Sequence, residues 1–140
     1  MNKFLGCLML IVFSIFSSYL YSEIAIIVHK ENKVSINSGD LKKIFLSKRN
    51  TFPESNEVVV VINHKRDSEL RTKFDEIVLG KNPSQSVAYW SKLVFSGKGN
   101  PPKEVDTDAD VISLVAKNPS LIGYIELINV TDDVHVAAVF

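Results

Sequence analysis

Eight consecutive residues carry most of the chemistry this sequence could perform: His64-Lys65-Arg66-Asp67-Ser68-Glu69-Leu70-Arg71. They follow an apolar run, Val58 to Ile62, and lead into a segment with helical spacing, so the spacing predicts a strand-to-helix turn. Such a turn aims several unpaired backbone N–H groups at one point and adds the positive end of the helix dipole. Ser68 brings a hydroxyl to that point. Lys65, Arg66 or Arg71 brings a positive charge, and an arginine can hold an oxyanion through two parallel hydrogen bonds. The competing reading is structural: Asp67 or Ser68 caps the helix, and Arg71 pairs with Asp75 four residues on. Local residues alone leave both open.

Other candidate chemistry is sparse. The sequence has no His-Glu-x-x-His, no Gly-x-Ser-x-Gly and no complete phosphate loop; Gly97-Lys98-Gly99 is a fragment of the last. Asp106-Thr107-Asp108-Ala109-Asp110 resembles the start of a calcium loop, but Val111 stands where a glycine is needed and Lys117 where a glutamate is. Thr107 and Asp110 fit a helix cap better. His29, His64 and His135 lie far apart with no helical ligand spacing, so neither a metal nor another cofactor is expected. Asn129-Val130-Thr131 is a formal glycosylation triplet that reads as a turn. No nucleophile and base converge, which points to binding rather than catalysis.

The elements that must hold these residues alternate strands and helices. Ile24 to Val28 and Val58 to Ile62 are continuous apolar runs, the pattern of strands covered on both faces in sheets with parallel pairing. Leu41, Ile44 and Phe45 mark a first helix after Asn37-Ser38-Gly39-Asp40, which offers capping oxygens. Leu70, Phe74, Ile77 and Val78 mark a second, stopped by Gly80. Asn82-Pro83-Ser84-Gln85 reads as cap, first-turn proline and closing glutamine of a third, whose inward residues are Val87, Trp90, Leu93 and Val94. Gly97 to Pro102 is loop. A fourth helix runs from Thr107 to Asn118-Pro119 with Val111, Leu114 and Val115 inward, and Leu121 to Ile125 and Val134 to Val139 finish the sheet. No repeat or linker divides residues 23–140, so they read as one domain.

Residues 1–22 have a different character. Lys3 precedes Phe4 to Tyr21, 18 residues without a charge, and Ser22 supplies the small residue of a cleavage site. This is the pattern of an export signal cut after Ser22, with an uncleaved anchor as the alternative. Cys7, the single cysteine, precedes the end of the apolar run and so does not mark a lipid attachment site. The 140-residue chain is 46% apolar and 23% charged with formal charge +0; without residues 1–22 it carries 15 basic and 16 acidic side chains. A body that close to neutral argues against nucleic acid as a partner.

Leu41-x-x-Ile44-Phe45-Leu46, Thr51-Phe52-Pro53, Val58 to Ile62 and Ser68-x-x-Arg71-x-x-Phe74 together resemble the phosphate-binding proteins of ABC transporters. Tyr89-Trp90-Ser91-Lys92, Phe95 to Gly99, Pro101-Pro102 and Asn118-Pro119 with Ile122 to Ile125 extend the same pattern. Residues 23–140 are similar, in order, to the short single-lobe proteins of that superfamily. The resemblance implies an α/β fold, one lobe of a type II periplasmic-binding-protein-like architecture, with a mixed sheet flanked by helices on both faces. It implies an exported, periplasmic module for a small oxyanion, phosphate first, with a membrane transporter as partner. The alternative is an accessory protein that keeps the fold and docks on a transporter or sensor without tight ligand binding. Full-length phosphate binders carry an arginine four residues before a Ser-Gly-Thr at the helix start. Here Ser68 matches the serine, Glu69-Leu70 replace Gly-Thr, and His64 stands at the arginine position, so Arg66 or Arg71 would have to substitute. With one lobe, a homodimer or another protein would have to complete the cleft.

Overall fold

The computed structural model describes residues 22–140, so the expected export signal lies outside the described residues except for Ser22. Strand β1 (Ile24–His29) is the spine of the fold. Its side chains alternate between two cores. Ile24, Ile26 and Val28 face a large cluster, and Ala25 and Ile27 a smaller one on the opposite face. The other strands are β2 (Val60–His64), β3 (Lys103–Val105), β4 (Leu121–Glu126) and β5 (Val134–Val139), in the order β3-β2-β4-β1-β5. β2 runs parallel to β3 and β4, while β1 runs antiparallel to both β4 and β5. The sheet is therefore mixed.

Helices cover both faces. α1 (Ser38–Phe45) and α2 (Glu69–Phe74) bring Leu41, Ile44, Phe45 and Phe74 into the large cluster against β1 and β4. There Phe74 stacks on Tyr124 with ring centroids 3.8 Å apart, and Phe45 lies 4.7 Å from Phe74. α4 (Asp108–Lys117) covers the opposite face with Val111 and Val115. It fits closely because β4 has Gly123 beneath it: a Cβ there would lie 2.6 Å from Val111 Cγ1. α3 (Pro83–Phe95) packs at the periphery, with Trp90 buried.

The capping residues act as their types dictate. Asn37, Ser68, Asn82 and Thr107 each accept a hydrogen bond from the backbone N–H three residues on, and Asn82 with Gln85 forms a full capping box. Gly80, at φ +65°, ends the second helical segment.

Four expectations are corrected. The run Ile24 to Val28 is covered on both faces, but its neighbours in the sheet are antiparallel rather than parallel. The run Val58 to Ile62 is covered on both faces only at its end: Val59 is buried, but Val58 is 56% and Val60 46% exposed. β3 pairs only with Ile62 to His64, and α4 packs over β4 and β1, so the first half of the run lacks a cover on one side. Ile77 faces solvent because the helix widens into a π-turn over Asp75–Leu79, which turns Val78 and Leu79 inward in its place. Val94 also faces outward, on the last turn of α3. β3 itself, a three-residue Lys-Glu-Val strand, has too little pattern to be read from sequence.

Candidate functional site

The parallel strands β2, β3 and β4 end on one side of the sheet, where an open α/β sheet offers its binding crevice. β2 ends at His64, and the chain turns through Lys65, Arg66 and Asp67 into α2. Ser68 is the N-cap: its Oγ accepts from the Arg71 amide at 3.3 Å, and its own amide donates to the Lys65 carbonyl at 3.0 Å. The amides of Glu69 and Leu70, the first two of the helix, have no acceptor within it. Leu70 packs against the large core, and Glu69 is exposed.

Arg71 is 5% exposed and is engaged within the fold. Its Nε donates to Asp75 Oδ2 at 3.1 Å and its Nη1 to the His64 carbonyl at 2.8 Å, with Glu104 Oε1 3.5 Å away. Asp75 Oδ2 also accepts from the Ser86 hydroxyl at 2.9 Å. The ion pair expected as the structural alternative thus forms. It binds α2, α3 and the ends of β2 and β3 together.

The His64 ring is equally engaged. Its Nε2 lies 2.9 Å from the Tyr124 carbonyl and 3.3 Å from Asp108 Oδ1. A carbonyl only accepts, so Nε2 carries the proton in this contact. The Tyr124 hydroxyl donates to Asn63 Oδ1, and burial pushes the Tyr124 phenol well above the ordinary tyrosine range. Asp108 Oδ2 accepts from the Glu126 amide and from Asn129 Nδ2. Two acids of the calcium-like run are engaged elsewhere: Asp108 serves these contacts and Asp106 pairs with Lys65 Nζ, while Thr107 caps α4. That hydrogen bond raises the Lys65 pKa. Among the described residues no cluster of His, Cys, Asp and Glu is placed to hold a metal.

Arg66 is the cation at this turn that remains free. It is exposed, it has no ion-pair partner among the described residues, and it lines an open recess with Trp90, Ser91, Val94, Phe95 and Pro101. The structure therefore gathers Arg66, Ser68 and the Glu69 and Leu70 amides at the surface, and sets His64 and Arg71 beneath them. Asp75, Ser86, Glu104, Asp108 and Tyr124 complete the buried support. Of these, Asp75 carried a signal in the sequence for this role, four residues from Arg71; Asp108 stood out only in the calcium-like run and Tyr124 only within the resembling segment.

These features define one lobe of a periplasmic-binding-protein fold, similar to phosphate ABC transporter substrate-binding proteins. Among solved structures, the chain is similar to one described as a phosphate ABC transporter substrate-binding protein with bound phosphate from Clostridium perfringens, at 27% identity and TM-score 0.64. The match covers 82% of this chain and 44% of that one. An ABC-type phosphate transport receptor from Vibrio cholerae matches at 17% identity and TM-score 0.64, over 81% of this chain and 44% of the receptor. PstS from Borrelia burgdorferi matches at 17% identity and TM-score 0.56, over 76% and 42%. The chain spans less than half the length of these structures. No family model matches it, and no curated protein does.

Proposed function

We propose that this chain is an exported binding lobe for a small oxyanion, phosphate first, with its site at the Lys65–Arg71 turn. In this reading residues 1–22 are a signal removed after Ser22, and residues 23–140 act in the periplasm beside a membrane transporter. The observation that carries it is the 27% identity, over most of the chain, to a structure solved with phosphate. The anion rests on the Glu69 and Leu70 amides and pairs with the Arg66 guanidinium. Ser68 Oγ accepts from the Arg71 amide, which leaves the hydroxyl proton to donate to the anion. Arg71 and His64 act from beneath: the Arg71 charge is balanced by Asp75 and Glu104, and its bond to the His64 carbonyl fixes where the turn begins.

An open site keeps water on one side of the anion, so binding is weak. A few charge-assisted hydrogen bonds, discounted for that water, leave on the order of −4 to −5 kcal/mol, or about millimolar affinity. Calorimetry with phosphate and sulfate up to tens of millimolar, a range set by that affinity, is the test. Saturable heat that Arg66→Ala weakens about tenfold or more is the expected result. A folded protein that gives no heat with either ion overturns the reading. One observation favours a second reading, that of an accessory protein docking on a transporter or sensor: His64 and Arg71 are both spent on internal contacts.

A further inference from the structure

β3 joins the edge of β2 late, and the gap it leaves is a recess. In the β2–β3 register Ile62 stands opposite Lys103, so Val60 would stand opposite Pro101. A proline has no N–H to give a strand partner. Residues 100–102 stand off from β2, and a recess of about 310 Å³ lies between them, at the low end of the range for ligand sites. The Val60 N–H donates to the Ser120 carbonyl on the β4 side, so the backbone groups of Val59 and Val61 face the recess edge. There the Val59 N–H donates to the Asn50 carbonyl at 3.0 Å. The Val59 carbonyl and the Val61 N–H have no hydrogen-bond partner among the described residues. Val59 is buried and Val61 half-buried, and backbone groups in such places ordinarily find partners. The recess is lined by two cations, Arg49 and Lys103, and by no acid. Arg49 is paired with Asp40 at 3.1 Å. Lys103 is exposed and has no ion-pair partner among the described residues.

We propose that this recess is a binding site for the free C-terminus of a polypeptide. The last residue of the peptide lies parallel to β2 and opposite Val60. Its N–H donates to the Val59 carbonyl, and its carboxylate accepts from the Val61 N–H and pairs with Lys103. β3 takes up the edge of β2 from Ile62 onward, so a chain entering this slot must end there. An apolar last side chain, on the face it shares with Val60, covers that exposed valine. The site shares no charged residue with the Lys65–Arg71 turn and stands independently of the oxyanion reading.

Calorimetry on the protein produced from its full chain tests this, with acetyl-Ala-Ala-Leu as the probe and its C-terminal amide as the control. The acid should give saturable heat with a dissociation constant below about 1 mM, and the amide should bind at least about tenfold more weakly. Lys103→Glu, which reverses the charge beside the carboxylate, should weaken the acid about tenfold or more. Val60→Asp supplies a second, independent disruption. Both side chains are exposed, so circular dichroism should stay unchanged. A folded protein that gives no heat with the acid overturns the proposal, as does equal binding of acid and amide. Binding that survives either substitution also overturns it. Excess inorganic phosphate at constant ionic strength should not displace the peptide. Displacement would assign the peptide to the Lys65–Arg71 turn and remove this site alone.

Discussion

Arg71 shows how one side chain can satisfy a structural reading so fully that it leaves the ligand. A guanidinium 5% exposed, bonded to Asp75 and to the His64 carbonyl, is part of the interior. Asp75 depends on it: one carboxylate oxygen is held by Arg71 and Ser86, and the other is buried without a partner among the described residues. Arg71→Ala would strand that carboxylate, and we expect a loss of about 3–5 kcal/mol in urea unfolding. Replacing both partners together, Arg71→Met with Asp75→Leu, should recover much of the loss, because no buried charge is then unpaired. A double variant as unstable as Arg71→Ala alone would contradict this account. The same reasoning makes Arg66, not Arg71, the substitution that reports on binding without unfolding the protein. The sequence showed the Ser68 cap and the Arg71–Asp75 spacing because both are local. It could not show Tyr124, Glu104, Asp108 or Ser86, which reach the site from strands and helices that only the tertiary fold brings near.

Among the elements, α4 rests close against the sheet at Gly123. Val111 Cγ1 occupies the space where a Cβ at position 123 would sit, at 2.6 Å. Val111 is β-branched and has one favoured rotamer in a helix, so it cannot swing aside. Gly123→Ala should therefore lift α4 from the sheet at a cost of about 1–3 kcal/mol, measured by urea unfolding. Adding Val111→Ala should relieve the clash, so that the two substitutions together cost less than the sum of each alone. Additive losses would refute the contact. Capped helices with a strong apolar stripe, such as α1 and α4, were legible because cap and periodicity agree. The π-turn was not, since Ile77 keeps helical spacing in sequence and loses it only when the backbone widens to hold Val78 and Leu79 in the core. The exposed valines at positions 58 and 60 were misread for a related reason: a run of valines does not state how long its neighbouring strand is.

At the scale of the whole molecule, β1 is held between β4 and β5, the last two strands of the chain. The first strand made is thus the last to find its partners. Both strand pairings that secure it span nearly the full length of the domain, and such long-range pairing slows closure. A chain cut after Asp133, lacking β5, should leave one side of β1 bare and show no cooperative unfolding transition by circular dichroism. A sharp transition in that truncated chain would count against this dependence. The order of pairing also governs timing. While synthesis is under way, β1 has no strand partner until β4 has been made, so no earlier fragment can form a native sheet around it. In the export reading proposed above, this strand order would delay closure of the sheet around β1 until the C-terminal strands are made.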